Sequence, residues 1–513
     1  YVSAVRAARA RDHGGVLLLD AGDLFQGTLA SNLLEGAPVI AAYNALGYDA
    51  VAIGNHDFDY GSLDSATPGS PGATDPRGAL LARAAEARFP FLTANVLDAH
   101  THARVRWPHV APSARLEVAG VSVVVIGVTT AATLSTTLFA NVRDLAMDPP
   151  LEAILAESAR ARRDGATLVI VAAHAGGRCS DLTHAGDASS CDPREEIVQV
   201  ANALPAGAVD AIVAGHTHQA MANVIHDVPV LESWALGRAF GRIDFEVDPV
   251  MHRVLGRHVF PPRDLCVRMP TAAAPCETTP YEGQSIAADP RVAALVAPAL
   301  SGARVYGDRA IGVTLASRMR TVYDREAPLG NLLADLLRDA TPGADVAVLN
   351  GGGIRADLPA GPVTYGSVYE VMPFDNRVAM VRMRGAGLRA LVAENLAQAA
   401  GIVSLGGVRV RARCVGGALD VTLHREDGTV IADDTPLTVV TSDFLVSGGD
   451  GMFHDRIERD VTGDAPLLLR DVFAAGLTAR GAAVHSDDAR VFDAASPRIA
   501  YPGARPLRCG GIP

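Results

Sequence analysis

The order of apolar runs and polar clusters constrains the fold more than any other feature of this sequence. From the start of the chain to about residue 250, short β-rich apolar runs alternate with helical stretches. The runs cover residues 16–19, 51–53, 121–128, 168–173, 211–213 and 228–231. This alternation predicts an α/β fold with buried strands. Nearly every run ends in Asp, Asn, His and Gly, and open α/β sheets place their active sites at the carboxyl ends of their strands.

A change in composition after residue 260 predicts a second domain. Residues 261–303 are rich in proline and cysteine and then become helical, which is typical of a linker. We predict a first domain over residues 1–260, this linker, and a smaller α/β domain over residues 304–513. In the second domain the pattern predicts helices at 329–340 and 388–396 and a strand at 346–349.

Composition and charge exclude several classes of protein. The chain has 513 residues, of which 49% are hydrophobic and 20% charged, as in folded proteins. No apolar run approaches the ~18 residues that a transmembrane helix needs. The net charge of −12 argues against a nucleic-acid polymer or an anionic membrane as partner, since both require a basic surface. A small anionic ligand is compatible with this charge if cations are placed locally.

The six cysteines indicate disulfides. Cys179 with Cys191 and Cys266 with Cys276 form two short-range pairs, and the remaining Cys414 and Cys509 could close a third. Neither short pair has the C-x-x-C spacing of a structural zinc site. Disulfides favour an oxidising compartment, either periplasmic or extracellular, whereas free thiols in a cytosolic protein are the alternative.

Four strand-end motifs carry ligands of the kind that bind metals. Their sequences are DAGDLFQG at 20–27, GNHDFDYG at 54–61, AHAGG at 173–177 and GHTHQ at 215–219. Each motif alone is compatible with a turn or an exposed loop. Together they offer carboxylate, amide and imidazole groups without thiolates, and too many for one ion. We therefore predict a site for two divalent ions, with Mn, Zn, Co, Fe or Mg as candidates, suited to phosphoryl chemistry.

In this order the motifs resemble those of the 5′-nucleotidase family, whose N-terminal half is a calcineurin-like metallophosphoesterase domain with a four-layer α/β/β/α sandwich. The resemblance implies that Asp23 bridges the two metals and that His218 serves one of them. It implies that Asn55, His174 and His216 complete the other metal site.

The same resemblance assigns a catalytic dyad to His56 and Asp59, in which Asp59 orients His56 and His56 stabilises charge on the phosphoryl group or leaving oxygen. The loop over residues 178–194 follows His174 directly. We interpret it as a disulfide-clipped lip of the active site, with a solvent loop of no role as the alternative.

One family motif has no counterpart in the sequence. The family has an Asp-x-His motif upstream of the helix with which this chain opens at Tyr1. We expect the sequence to be a piece that lacks it. A genuine loss would instead favour a non-catalytic nucleotide-binding protein.

Three motifs in the second domain resemble the nucleotide-binding domain of the same family. They are NGGGIR at 350–355, MPFDN at 372–376 and SDFLVSGGDG at 442–451. The resemblance implies that Phe374 and Phe444 sandwich the base and that Asp450 holds the ribose. It also implies that Asn350, Arg355 and Asn376 line the pocket. Without the resemblance, Phe374 and Phe444 are better explained as ordinary core residues.

Taken together, the motifs predict a dimetal enzyme that hydrolyses a nucleoside 5′-phosphate to nucleoside and phosphate, by in-line attack of a metal-bound hydroxide. The alternatives are a 2′,3′-cyclic nucleotide phosphodiesterase, a UDP-sugar hydrolase or a thiosulfohydrolase on the same scaffold, and the non-catalytic nucleotide-binding protein.

Overall fold

Two compact units make up the chain. The computed structural model describes residues 1–63, 75–248, 250–266, 276–463, 466–481, 485–486 and 488–510. One unit comprises residues 1–26 and 31–299, and the other comprises residues 27–30 and 300–513. Both mix helices and strands, so the predicted α/β class is confirmed. None of the helices in the described ranges has the length and apolarity needed to cross a membrane.

The N-terminal half supplies two sheets, two ribbons and their covering helices. Its strands are β1 (Leu19–Asp20), β2 (Ala50–Ala52), β3 (Phe91–Leu92), β4 (Val96–Asp98), β5 (Val110–Ala111), β6 (Ser113–Val118), β7 (Val121–Thr129), β8 (Leu145–Met147), β9 (Leu168–His174), β10 (Ala211–Ala214), β11 (Ala220–Ile225), β12 (Val228–Ser233), β13 (Ala239–Asp248) and β14 (Arg253–Asp264). Its helices are α1 (Val2–Arg11), α2 (Leu29–Asn32), α3 (Ala37–Leu46), α4 (Gly78–Glu86), α5 (Thr133–Thr136), α6 (Phe139–Val142), α7 (Pro150–Arg163) and α8 (Glu196–Ala203).

Two sheets pack face to face in the first unit. One sheet has the order β1-β2-β3-β5 and the other the order β11-β12-β10-β9-β7-β6. Small and branched side chains fill the space between them, among them Ala52 and Leu92 from the first sheet and Val125 and Ile170 from the second. Because strands β1, β2, β9 and β10 run parallel within their sheets, the polar segments that follow them can gather at one edge.

Helices cover both outer faces of this pair of sheets. Ile154 of α7 and Ile197 of α8 pack on the second sheet. Ile40 of α3 and Leu80 of α4 pack on the first. The layers are therefore helix, sheet, sheet and helix, which confirms the predicted four-layer sandwich.

Strand β1 is shorter than the predicted run at 16–19. The Leu18 amide donates to the Asp49 carboxylate at 2.7 Å, and the Asp49 amide donates back to the Leu18 carbonyl at 2.9 Å. A side chain thus takes the hydrogen bond that a neighbouring strand would otherwise accept, and regular pairing begins only at Leu19.

The second unit contains another α/β layer structure. Its strands are β15 (Ala310–Leu315), β16 (Val346–Leu349), β17 (Gly361–Thr364), β18 (Val378–Arg384), β19 (Ser404–Gly406), β20 (Val408–Val415), β21 (Ala418–Arg425), β22 (Pro436–Ser442), β23 (Arg459–Asp460) and β24 (Ile499–Ala500). Helix α9 (Pro290–Gly307) spans the division between the units, and α10 (Pro328–Asp339), α11 (Tyr365–Val371), α12 (Gly385–Ala397), α13 (Asp443–Val446) and α14 (Leu469–Arg480) follow.

The central sheet of the second unit has the order β19-β16-β22-β18-β23. Leu332 of α10 and Phe473 of α14 belong to the core on one face. Leu388 and Leu391 of α12 belong to the core on the other. The predicted strand at 346–349 is β16, and the predicted helices correspond to α10 and α12.

Three disulfides join the six cysteines in the predicted pairs: Cys179–Cys191, Cys266–Cys276 and Cys414–Cys509. None of the six is a free thiol. The boundaries of the predicted linker stay a prediction. It begins within β14 and ends within α9, and residues 267–275 of it lie outside the described residues.

Candidate functional site

Four predicted ligands of the first unit converge on one point. Donor atoms of Asp23, His174 and His216 all lie within 4.8 Å of one another. Asp23 Oδ2 is 3.2 Å from His174 Nε2. The Asn55 Oδ1 atom lies 2.9 Å from His174 Nε2 and 3.1 Å from His216 Nδ1. His174 ends β9 and the other three residues follow β1, β2 and β10, so the edges of the two sheets bring together segments nearly 200 residues apart in sequence.

The donor set of this cluster fits a divalent metal. His174 Nδ1 donates to the Ala21 carbonyl at 2.8 Å, because a carbonyl oxygen can only accept. That bond fixes the imidazole with its Nε2 facing the cluster, as is usual for a metal-ligating histidine. His174 Nε2 and His216 Nδ1 are 3.2 Å apart. Two imidazole nitrogens, a carboxylate and an amide oxygen aimed at one point suit Mn, Fe, Co, Ni or Zn.

Electrostatics within the cluster favour positive charge at its centre. Burial raises the pKa of Asp23, but His174 and His56 outweigh it and hold that pKa below its usual range. Burial opposes a charge on His174, yet Asp23 raises the pKa of His174 to about 9. Burial and then His174 lower the pKa of His216 to about 3, so His216 is neutral and able to coordinate. The charges of the cluster thus favour a proton or a bound cation at its centre.

Asp57 organises this cluster although sequence reasoning assigned it no role. Its buried carboxyl accepts hydrogen bonds from the amides of Gly54 and Leu24, each at 2.8 Å, and of Asp23 at 3.2 Å. Burial and the charge of Asp23 raise the pKa of Asp57 to about 8. Asp57 therefore ties the segment after β1 to the segment after β2. Its place in the Gly-Asn-His-Asp motif was the available signal, but an aspartate there is also common in turns.

The predicted dyad is assembled beside the cluster. His56 Nδ1 donates to Asp59 Oδ2 at 2.8 Å. The other carboxylate oxygen of Asp59 accepts from Thr137 Oγ1 at 2.7 Å, and Gln26 Nε2 donates to Oδ2 at 3.1 Å. The His56 amide donates to Asp23 Oδ1 at 2.8 Å, which connects the dyad to the cluster. Sequence reasoning missed Thr137 and Gln26 as supports of Asp59.

Three predicted ligands have backbone in the left-handed region. The φ angles are +59° at Asp23, +85° at His216 and +57° at His218. Such conformations cost energy in non-glycine residues and concentrate at functional sites. His218 is exposed and, in the part of the chain that the structure describes, is not a member of the compact cluster. Its assignment to a second ion stays a prediction, and so does the interpretation of residues 178–194 as a lip.

The predicted nucleotide-binding residues of the second unit follow neighbouring strands of one sheet. Asn350 follows β16 and Phe444 follows β22, which pairs parallel with β16. Phe374 and Asn376 precede β18, which pairs antiparallel with β22. All these segments therefore emerge at the same edge of the sheet.

Direct contacts join some of these residues. Asn350 Nδ2 donates to Asp450 Oδ2 at 2.7 Å, and Asp450 has a φ of +53°. The Arg355 guanidinium lies 5.8 Å from the centre of the Phe374 ring, within cation–π range. Phe374 is half-buried.

Phe444 and Asn376, the two remaining residues of this predicted binding set, make contacts within the fold of the second unit. The Phe444 ring is only 8% exposed and belongs to the core. Asn376 accepts a bond from the Leu469 amide at 2.9 Å through its backbone carbonyl. Stacking of a base on Phe374 and Phe444 stays a prediction.

Known proteins resemble the chain in both units. The calcineurin-like phosphoesterase family matches residues 3–220, and the 5′-nucleotidase C-terminal domain family matches residues 309–455. UshA from Yersinia enterocolitica is 27% identical over 476 residues, which cover 88% of this chain and 80% of UshA.

Two solved structures from Thermus thermophilus share the fold. A 5′-nucleotidase precursor superimposes with a TM-score of 0.72 at 24% identity and covers 94% of this chain and 91% of its own. The sulfate thiohydrolase SoxB also gives a TM-score of 0.72, at 15% identity, and covers 99% of this chain and 83% of its own. Residues 3–220 therefore belong to the calcineurin-like phosphoesterase family of metal-dependent hydrolases, and residues 309–455 belong to the 5′-nucleotidase C-terminal domain family.

Proposed function

We propose that this protein is a 5′-nucleotidase-type phosphomonoesterase that converts a nucleoside 5′-phosphate to a nucleoside and phosphate. The observation that carries the proposal is the convergence of Asp23, Asn55, His174 and His216 beside the bonded pair of His56 and Asp59. Two divalent ions, the second held by Asp23 and His218, would supply an activated water molecule and neutralise charge on the phosphoryl group.

The chain's own residues perform the remaining steps. Asp59, held by Thr137 and Gln26, accepts the hydrogen bond from His56 Nδ1 and so fixes the orientation of the His56 ring. A protonated His56 Nε2 can then stabilise charge on the phosphoryl oxygens or the leaving oxygen. Because the backbone of His56 is bonded to Asp23, this imidazole is held at a fixed place beside the metal ligands.

The second unit recognises the nucleoside in this proposal. Phe374, with Phe444, stacks on the base, while Asp450 accepts hydrogen bonds from the ribose hydroxyls. Arg355 supplies positive charge next to Phe374. Since every base has a flat face, this mode of binding predicts modest selectivity among bases.

The three disulfides and the relatives support a periplasmic or extracellular location for this protein. One further relative is described as the cell wall protein Lmo0130 of Listeria monocytogenes, at 26% identity over 462 residues.

Phosphate release from AMP tests the proposal. The wild-type chain with Mn²⁺ or Zn²⁺ is compared with His56→Ala and Asp23→Asn, and we expect both variants to lose at least about 100-fold in turnover. Equal rates of phosphate release in all three proteins would refute the assignment as a 5′-nucleotidase. AMP binding without phosphate release under any metal would instead identify a non-catalytic nucleotide-binding protein.

A further inference from the structure

Glu232 is a buried acidic residue that the proposed reaction does not use. It lies on β12, and only 1% of its surface is exposed. Its carboxyl group meets amide and hydroxyl groups from two segments that each carry predicted metal ligands.

The first of these segments follows β9. The Gly177 amide, three residues beyond His174, donates to Glu232 Oε2 at 3.0 Å. The second segment follows β10, where Thr217 stands between His216 and His218. Thr217 Oγ1 lies 2.8 Å from Glu232 Oε1.

The hydrogen bonds around Thr217 can be counted. Its Oγ1 is 2.8 Å from Glu232 Oε1 and also 2.8 Å from the Gly177 carbonyl oxygen. A hydroxyl group has one proton, and a carbonyl oxygen can only accept. If Glu232 were a carboxylate, one of the two close oxygen pairs would have no proton between its atoms.

A proton on Glu232 supplies the missing hydrogen bond. Glu232 Oε1–H then donates to Thr217 Oγ1, Thr217 donates to the Gly177 carbonyl, and the Gly177 amide donates to Glu232 Oε2. The three residues form a closed ring in which every donor has an acceptor. Consistent with this, burial raises the pKa of Glu232 to about 8.

We propose that Glu232 is a positioning residue which, as a neutral carboxylic acid, holds the segment after His174 against the segment that carries His216 and His218. It does not touch the reacting atoms. Its effect is to keep the histidines of both segments in one arrangement, and therefore to set the affinity for the metal. This inference rests on the proposed function only in that it needs the cluster to bind a metal.

The neutral state makes a specific substitution informative. In Glu232→Gln, the carboxamide can donate through Nε2 to Thr217 and accept through its oxygen from Gly177, so the ring is preserved without an ionisable group. In Glu232→Leu, the volume is similar but both buried partners lose their hydrogen bonds. Glu157 provides a matched control. It is a buried glutamate of the same unit that bonds Arg104 and Arg160 instead of the ligand segments.

The affinity for Mn²⁺ is measured by titration calorimetry on metal-stripped protein, with thermal unfolding as a check of the fold. We expect Glu232→Gln to stay within about twofold of wild type and Glu232→Leu to lose about 10- to 100-fold, as for other residues that orient metal ligands. Glu157→Leu should lower the unfolding temperature and leave the Mn²⁺ affinity unchanged.

A second pair of variants applies if Glu232→Leu does not fold. Thr217→Val removes the hydroxyl and should weaken Mn²⁺ binding, whereas Thr217→Ser keeps it and should bind as wild type does. The inference is overturned if Glu232→Leu or Thr217→Val binds Mn²⁺ like wild type, or if Glu232→Gln loses as much affinity as Glu232→Leu.

Phosphate release separates this inference from the proposed function. Wild type that binds Mn²⁺ with the expected pattern of variants, yet releases no phosphate from AMP, would refute the nucleotidase proposal and leave the role of Glu232 intact. If wild type hydrolyses AMP and all variants bind Mn²⁺ equally, the proposed role of Glu232 is refuted and the nucleotidase proposal is supported.

Discussion

The candidate metal cluster of the first unit and the proposed nucleoside-binding edge of the second are built in different ways. In the cluster, Asn55 and His174 are buried, and buried carboxyls such as Asp57 hold the backbone around them. At the other edge, the side chain of Phe374 is half-buried and Arg355 lies against its ring.

The tasks proposed for the two regions account for this difference. Stabilising charge on a phosphoryl group demands fixed dipoles and ligands, since a displacement of 1 Å can cost about 100-fold in rate. Stacking on a base tolerates small shifts, because a flat ring offers the same surface over a wide range of positions. We therefore expect substitutions that displace the backbone of the first unit to cause large losses of activity. In the second unit we expect substitutions to cause smaller, graded losses of substrate affinity.

The largest effect is expected from Gly54→Ala. A Cβ atom at Gly54 would overlap the side chain and the amide of Asp23, so Asp23 or the segment after β2 must move. We expect turnover to fall about 100-fold and Mn²⁺ affinity to fall with it. Gly256→Ala on β14 is the matched control in the same unit, because a Cβ there meets only the Glu246 side chain, at an ordinary contact distance of 3.6 Å. A Gly54→Ala protein as active as Gly256→Ala would show that the cluster tolerates displacement.

Phe374→Ala should raise KM for AMP about tenfold while kcat changes little, because stacking on a base contributes about 1–3 kcal/mol. The comparison substrate is glycerol phosphate, which has no ring to stack, and its KM should not change. Phe374→Tyr retains the ring and should behave as wild type. A fall in kcat without a change in KM would contradict a role in binding.

Thr137→Val tests the support of the dyad. The Thr137 hydroxyl donates to Asp59 Oδ1, and its loss should lower kcat about fivefold, within the range for one hydrogen bond. KM should stay the same because Thr137 is proposed to act only through Asp59. Thr137→Ser restores the hydroxyl and should recover the rate, and an equally slow Thr137→Ser would attribute the loss to packing.

The smallest effect is a pH dependence of stability in metal-free protein. Burial raises the pKa of Glu232 from 4.5 to about 8 in the folded chain. Below pH 4.5 both states are protonated and its contribution is complete. Between pH 4.5 and pH 8 Glu232 ionises only in the unfolded state, so the stability that the protonated Glu232 contributes is lost as pH rises toward 8.

Glu232→Gln cannot ionise. The unfolding temperature of Glu232→Gln, relative to that of wild type, should therefore rise by a few degrees between pH 5 and pH 8. Above pH 8 the difference between the two unfolding temperatures should stay constant. A constant difference between pH 5 and pH 8 would mean that Glu232 does not change its protonation on unfolding.

The sequence located the candidate ligands because each stands at the end of an apolar run, and their binding of metal stays a prediction. Asn55 follows β2 and His174 ends β9, so the location of a strand also located the residue. Thr137 and Glu232 could not be found in this way. Thr137 meets Asp59 across 78 residues, and Glu232 meets Gly177 across 55, and neither stands in a recognisable motif. Their roles depend on side-chain contacts that only the folded chain creates.

The short length of β1 also depends on a contact between residues that are distant in sequence. The apolar residues at 16–18 satisfy a strand pattern, but the Leu18 amide bonds to the side chain of Asp49, which is distant in sequence. Local patterns thus indicate which segments are buried, whereas tertiary contacts decide which backbone groups pair with a neighbouring strand.

The spacing of the cysteines has a consequence for the order of oxidation. Two bridges close loops of 12 and 10 residues, while Cys414 and Cys509 are 95 residues apart. Closing the longest loop in an unfolded chain costs about 2 kcal/mol more in entropy than closing a 12-residue one. A chain oxidised while still unfolded therefore forms the local pairs first, and the pairing of β24 with β20, which brings Cys509 near Cys414, favours the third bond.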